Sequence, residues 1–108
     1  MKRFFFILSL FLATFSVEGQ TDTLEIAPDF TDAIVNRGSV KDENGDYNDA
    51  LLDYEKALEL KPREAMIYFN IGNTKYNQGK KSEACENWQK AKELGADYVE
   101  DRIAKMCE

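Results

Sequence analysis

Two cysteines, Cys85 and Cys107, are the residues of this 108-residue chain best suited to covalent chemistry, and there is no histidine at all. Without imidazole there is no histidine-based triad and no imidazole metal site. The cysteines lack the C-x-x-C spacing of a redox-active pair, so their expected chemistry is structural. The 20 acidic residues are scattered along solvated helix faces, and no Gly-rich phosphate loop follows a strand. The sequence therefore predicts no catalytic residues, no metal and no cofactor. What remains is recognition by contact.

The element that must position these side chains is a repeat. Pro28 recurs as Pro62, and Gly38, Gly45, Ala50, Tyr54 and Ala57 recur as Gly72, Gly79, Ala84, Trp88 and Ala91, all at an offset of 34. Asn36 and Asn70, Lys56 and Lys90, and Leu60 and Leu94 obey the same offset. A repeat of this length is one helix–turn–helix unit that cannot bury its apolar face alone and must stack on a neighbour. The fold class is all-α: two stacked units at 31–64 and 65–96, a capping helix at 97–108, and a tether at 20–30. The tether carries Leu24-Glu25-Ile26-Ala27-Pro28, a phrase that returns as Leu58-Glu59-Leu60-Lys61-Pro62, and so reads as the end of a degenerate preceding repeat.

Local signals fill in the plan. Phe30 to about Glu43 is helical and stops at the turn Asn44-Gly45. Asp46 is a good N-cap for a helix with Ala50, Leu51, Tyr54, Ala57 and Leu58 on one stripe, and Pro62 ends it. Ala65 to Asn77 is apolar over much of its circumference, which predicts packing on most sides. After Gln78-Gly79, a helix carries Ala84, Cys85, Trp88 and Ala91 inward and ends at Gly95. Asp97 and Glu100 suggest an Asp variant of the capping box on a last helix whose Val99, Ile103, Met106 and Cys107 share one face.

Met1, Lys2 and Arg3 followed by the apolar run Phe4 to Leu12 and small residues to Gly19 have the layout of a secretory signal peptide. Cleavage after Ser16 or after Gly19 fits. The run is shorter than the roughly 20 residues of a spanning helix, so no stable membrane span is expected after processing. No cysteine stands where lipid anchoring would need one. Loss of residues 1–19 leaves 12 basic and 19 acidic residues, a net charge of −7, which repels a phosphate backbone and argues against nucleic acid. The expected setting is exported, periplasmic or secreted.

In that setting the cysteines gain a role. Cys85 occupies the repeat position of Leu51, and Cys107 lies on the apolar face of the last helix. Two inward cysteines on adjacent helices predict a disulfide closing a loop of about 20 residues, worth roughly 3 kcal/mol in the chain-entropy model. Two separate buried thiols are the competing reading.

These residues resemble the tetratricopeptide repeat. Its motif asks for a large then a small residue in the first helix, a small–aromatic–small series in the second, and proline at the join. Gly38, Ala50, Tyr54, Ala57 and Pro62 match it in one unit, and Ile71, Gly72, Ala84, Trp88 and Ala91 in the next. Three positions depart: Arg37 stands where Leu is preferred, and Lys41 and Lys75 stand where Tyr is. Either their stems lie on apolar surface with the charge in water, or they face a ligand or an acidic neighbour. Ala96 replaces the closing proline.

The resemblance implies a binding scaffold with first helices lining a concave side that takes extended peptides. Spacing then nominates Asp32, Val35, Ser39 and Asp42, with Met66, Phe69, Asn73 and Tyr76, one half acidic and the other aromatic. A peptide with a basic and an apolar residue would suit it. The competing reading puts individual members, Met66 and Phe69 first, in the core. Asn36, Asn70 and Asn73 are present, but the cations of the family's carboxylate clamp are out of register. The expected partner is a protein or peptide. Two units are fewer than the three or so that usually stack stably. Either cap and disulfide compensate, or the chain forms a homodimer through an open edge, with a self-assembling envelope subunit as the alternative function.

Overall fold

The computed structural model describes residues 30–108. The leader at 1–19 with its two cleavage positions, and the tether at 20–30 except Phe30, lie outside the described residues.

Among the described residues five α-helices follow one another: α1 (Phe30–Glu43), α2 (Tyr47–Leu60), α3 (Ala65–Asn77), α4 (Lys81–Glu93) and, after a 3₁₀ turn at Asp97–Val99, the short α5 (Glu100–Met106). No strand occurs among the described residues. The chain is an all-helical repeat stack. α1 pairs with α2, α3 pairs with α4, and α2 against α3 joins the two pairs.

Three connections are made the same way. Gly45, Gly79 and Gly95 all have positive φ, at 86°, 82° and 108°. At each, the following amide reaches back to a carbonyl five residues earlier: Asp46 to Lys41 (2.8 Å), Lys80 to Lys75 (2.9 Å) and Ala96 to Ala91 (3.0 Å). This is the Schellman closure, which satisfies helix-end carbonyls and needs a residue that tolerates the left-handed region.

N-termini are plainer. Asp46 stands at the N-cap of α2 but its side chain makes no capping bond. The Asp97–Glu100 capping box does not form. Asp97 lies inside the 3₁₀ turn and the α-helix begins at Glu100, with Val99 at its N-cap. Packing decides this: the tighter turn drops Ala96 and Val99 into the core, where both are buried.

The packing follows the repeat's size pattern. Tyr54 and Trp88 are fully buried, each flanked by alanines of its own helix, Ala50 and Ala57 or Ala84 and Ala91. A Cβ built on Gly38 would lie 2.7 Å from Tyr54 Cε1, and one on Gly72 would overlap the Trp88 indole. The small residues therefore set the distance between paired helices. Ile34, Val35, Ile67 and Ile71 complete the main cluster, with Leu51 and Leu58 packed against it. Pro62 is exposed and belongs to the turn, not to the core.

α5 takes the place of a third first helix. Thr31, Ala65 and Val99 fall on one 34-residue offset, all at the entry to a first helix, and Val35, Phe69 and Ile103 on another. Ala65, Tyr68, Phe69 and Ile103 close over Ala91, Ala96 and Val99. Cys85 of α4 is bonded to Cys107, just past α5, with Cα atoms 5.7 Å apart.

Candidate functional site

The first helices α1 and α3 lie side by side, and their open side holds the nominated contact residues. Near the N-terminal ends of both helices a notch of about 130 Å³ is lined by Thr31, Asp32, Val35, Glu64, Met66 and Ile67. Its floor is apolar: Val35 and Ile67 are buried in the main cluster. Its rim is exposed, with the carboxylates of Asp32 and Glu64 beside the Met66 thioether. Two carboxylates over an aliphatic floor suit a side chain that is apolar along its stem and cationic at its tip.

Farther along α1 the nominated residues are already engaged. The Ser39 hydroxyl lies 3.3 Å from the Tyr54 hydroxyl. Burial pushes the Tyr54 phenol up in pKa, against the opposing effect of that hydrogen bond. Asp42 Oδ1 accepts a bond from Asn77 Nδ2 at 3.3 Å, which ties the C-terminal ends of α1 and α3 together.

The α3 half is covered in part by the cap. Tyr98 meets Phe69 edge-on at 5.2 Å between centroids. The Arg102 guanidinium sits 5.2 Å from the Phe69 centroid and 5.6 Å from that of Trp88. Asn73 Oδ1 accepts from both Trp88 Nε1 (3.1 Å) and Arg102 Nη1 (2.9 Å). Tyr76, 40% exposed, leans on Trp88 at 5.7 Å. Of the eight nominated residues, Asp32, Met66 and Tyr76 are thus exposed on the helix face. Val35 is core. Phe69 and Asn73 are partly buried beneath the chain's own Tyr98 and Arg102.

Glu64 and Arg102 belong to the face and were not nominated from the sequence. Glu64 escapes a search along helix positions because it precedes α3. Arg102 is one period after Tyr68, and only the placement of α5 as a third first helix brings it there.

The three cations that depart from the motif all have acidic neighbours. Arg37 grips Asp53 through Nε (2.9 Å) and Nη2 (2.8 Å), and Lys41 Nζ reaches the same carboxylate at 3.1 Å. Arg37's hydrogen bond holds the buried Asp53 carboxyl below the usual carboxylate range; burial opposes this and Lys41 assists. Lys75 pairs with Glu83 at 2.8 Å and lowers its pKa in the same way.

Among the described residues no His/Cys/Asp/Glu group has the arrangement of a metal site, and no helix is long and apolar enough to cross a membrane.

Comparison with known proteins gives two overlapping family matches, one described as TPR repeat over residues 38–79 and one as tetratricopeptide repeat over residues 65–97. The chain is 27% identical over 93 residues to the small glutamine-rich tetratricopeptide repeat-containing protein 2 of Saccharomyces cerevisiae, an alignment covering 86% of this chain and 27% of that protein. It is 33% identical over 58 residues to the tetratricopeptide repeat protein 6 of Homo sapiens, covering 54% of this chain and 11% of that one. The chain spans about a quarter of the first relative and about a tenth of the second.

Proposed function

The chain belongs to the tetratricopeptide repeat family across residues 38–97, an interaction scaffold, and from that premise we propose that it is a non-catalytic module binding an extended peptide along α1 and α3. One observation carries this reading: the notch between Asp32 and Glu64, floored by Val35 and Ile67 and flanked by exposed Met66. A lysine or arginine of the partner lays its stem on the floor and its charge between the carboxylates. An apolar partner residue lies on Met66 and, farther along, on Tyr76. The chain's acidic balance attracts such a partner over a longer range.

The setting we propose is exported, periplasmic or secreted. It is supported by the leader-like pattern at 1–19 and by the Cys85–Cys107 disulfide, since such bonds persist in oxidising compartments.

A photo-crosslinking amino acid at Met66, compared with one at the exposed Leu52 of α2, tests the module in the producing cell. The reading requires discrete protein adducts from position 66 that are absent from position 52. Equal adducts from both, or adducts only with a second copy of the chain, would instead favour self-assembly.

A further inference from the structure

Beyond the peptide-binding face, the stack has an open end at α1. There a hollow of about 410 Å³ is lined by Phe30, Ala33, Ile34, Arg37 and Lys56, with Phe30 68% exposed. Its counterpart one period later is filled. Ala33 and Arg37 correspond to Ile67 and Ile71, which are buried in the cluster where Leu58 of α2 packs. The hollow is therefore the seat that a preceding helix end would take, and it is unfilled by any described residue.

We propose that the chain's own segment Leu24–Pro28 fills it, with Leu24 as the anchor. Three observations converge on this occupant. First, Leu24-Glu25-Ile26-Ala27-Pro28 repeats Leu58-Glu59-Leu60-Lys61-Pro62 in register, so Leu24 takes the role of Leu58, which packs inward. Second, Ile26 stands five residues before Thr31 as Leu60 stands five before Ala65, so the connection has the length that already works between α2 and α3. Third, Glu25 of the segment and Asp22 just before it are complementary in sign to Lys56 on the hollow's rim and to Arg37, which also pairs with Asp53. Either leader cleavage leaves the segment on the mature chain.

The segment thus caps the first edge as α5 caps the last, and it blocks that edge against a second copy. Hydrogen exchange read by mass spectrometry tests this on protein expressed from the complete coding sequence, in the form the cell leaves it. Amides of residues 24–27 should exchange at least about tenfold slower than in a free peptide of the same sequence. Leu24→Asp should abolish that protection and leave α3 and α4 protected. Ala33→Trp, which fills the hollow from the other side, should do the same. Unprotected exchange in the wild type, or protection that survives both substitutions, overturns the proposal. Protection that vanishes on dilution also overturns it, because the occupant is then a second copy.

Discussion

Gly38 and Gly72 are small because Tyr54 and Trp88 must lie against them, and that pairing explains most of the helix spacing. Alanine is favoured over glycine in a helix interior by about 1 kcal/mol. At Gly72 that gain is overcome, because the added methyl meets the indole of the fully buried Trp88. Gly72→Ala should destabilise the chain by about 1–3 kcal/mol, the usual cost of overpacking, seen as a fall in the thermal midpoint. A neutral or stabilising effect would mean that the ring can move aside. These small–large pairs were legible in the sequence, since the period alone aligns them.

Asp53 was not legible. Its helix position looks like any solvated carboxylate, and only the fold brings Arg37 and Lys41 onto it. Asp53→Asn should cost about 1 kcal/mol, less than a fully buried charged hydrogen bond, because Arg37 is largely solvated. The sign with pH follows from the lowered pKa. The carboxylate's contribution is present above the unfolded value of about 4 and is lost as pH falls through the folded value. Urea midpoints of wild type and Asp53→Asn should therefore differ at pH 7 and converge at acid pH.

At the scale of elements, the cap is the part most dependent on its staple. α5 has seven residues and none is buried. A helix that short does not persist alone in water. It is held by the Cys85–Cys107 bond, by the Arg102 contacts to Phe69, Trp88 and Asn73, and by partial burial of Ile103. Cys107→Ser should cost about 3 kcal/mol in the chain-entropy model. Trp88 is the chain's one tryptophan, so release of α5 should shift its emission to the red while helix content changes little. An unshifted emission would show that Arg102 and Ile103 suffice.

The sequence signals at helix ends were uneven in the same physical way. Glycine C-caps were legible because glycine adopts the required positive φ without steric cost. The Asp97 capping box was not realised because burial of Ala96 and Val99 outweighs one side-chain bond.

At the scale of the molecule, the stack closes its last edge with α5 and presents α1 and α3 on one open side. The helical class and the helix pairs were readable from periodicity. The proposed binding face was readable only in outline, because spacing says which residues share a helix face but not which are claimed by neighbours. Val35 went to the core, and Phe69 and Asn73 to the cap. Glu64 entered from a turn.

The most direct test of the central claim is an amide-resolved NMR titration with short extended peptides. Those pairing Lys or Arg with an apolar residue are compared with Glu-containing controls. Shifts are expected at Asp32, Glu64 and Met66 for the cationic peptides alone, lost in Asp32→Lys while the rest of the spectrum is kept. Shifts equal for both peptide classes, or clustered on α2 and α4, would contradict it.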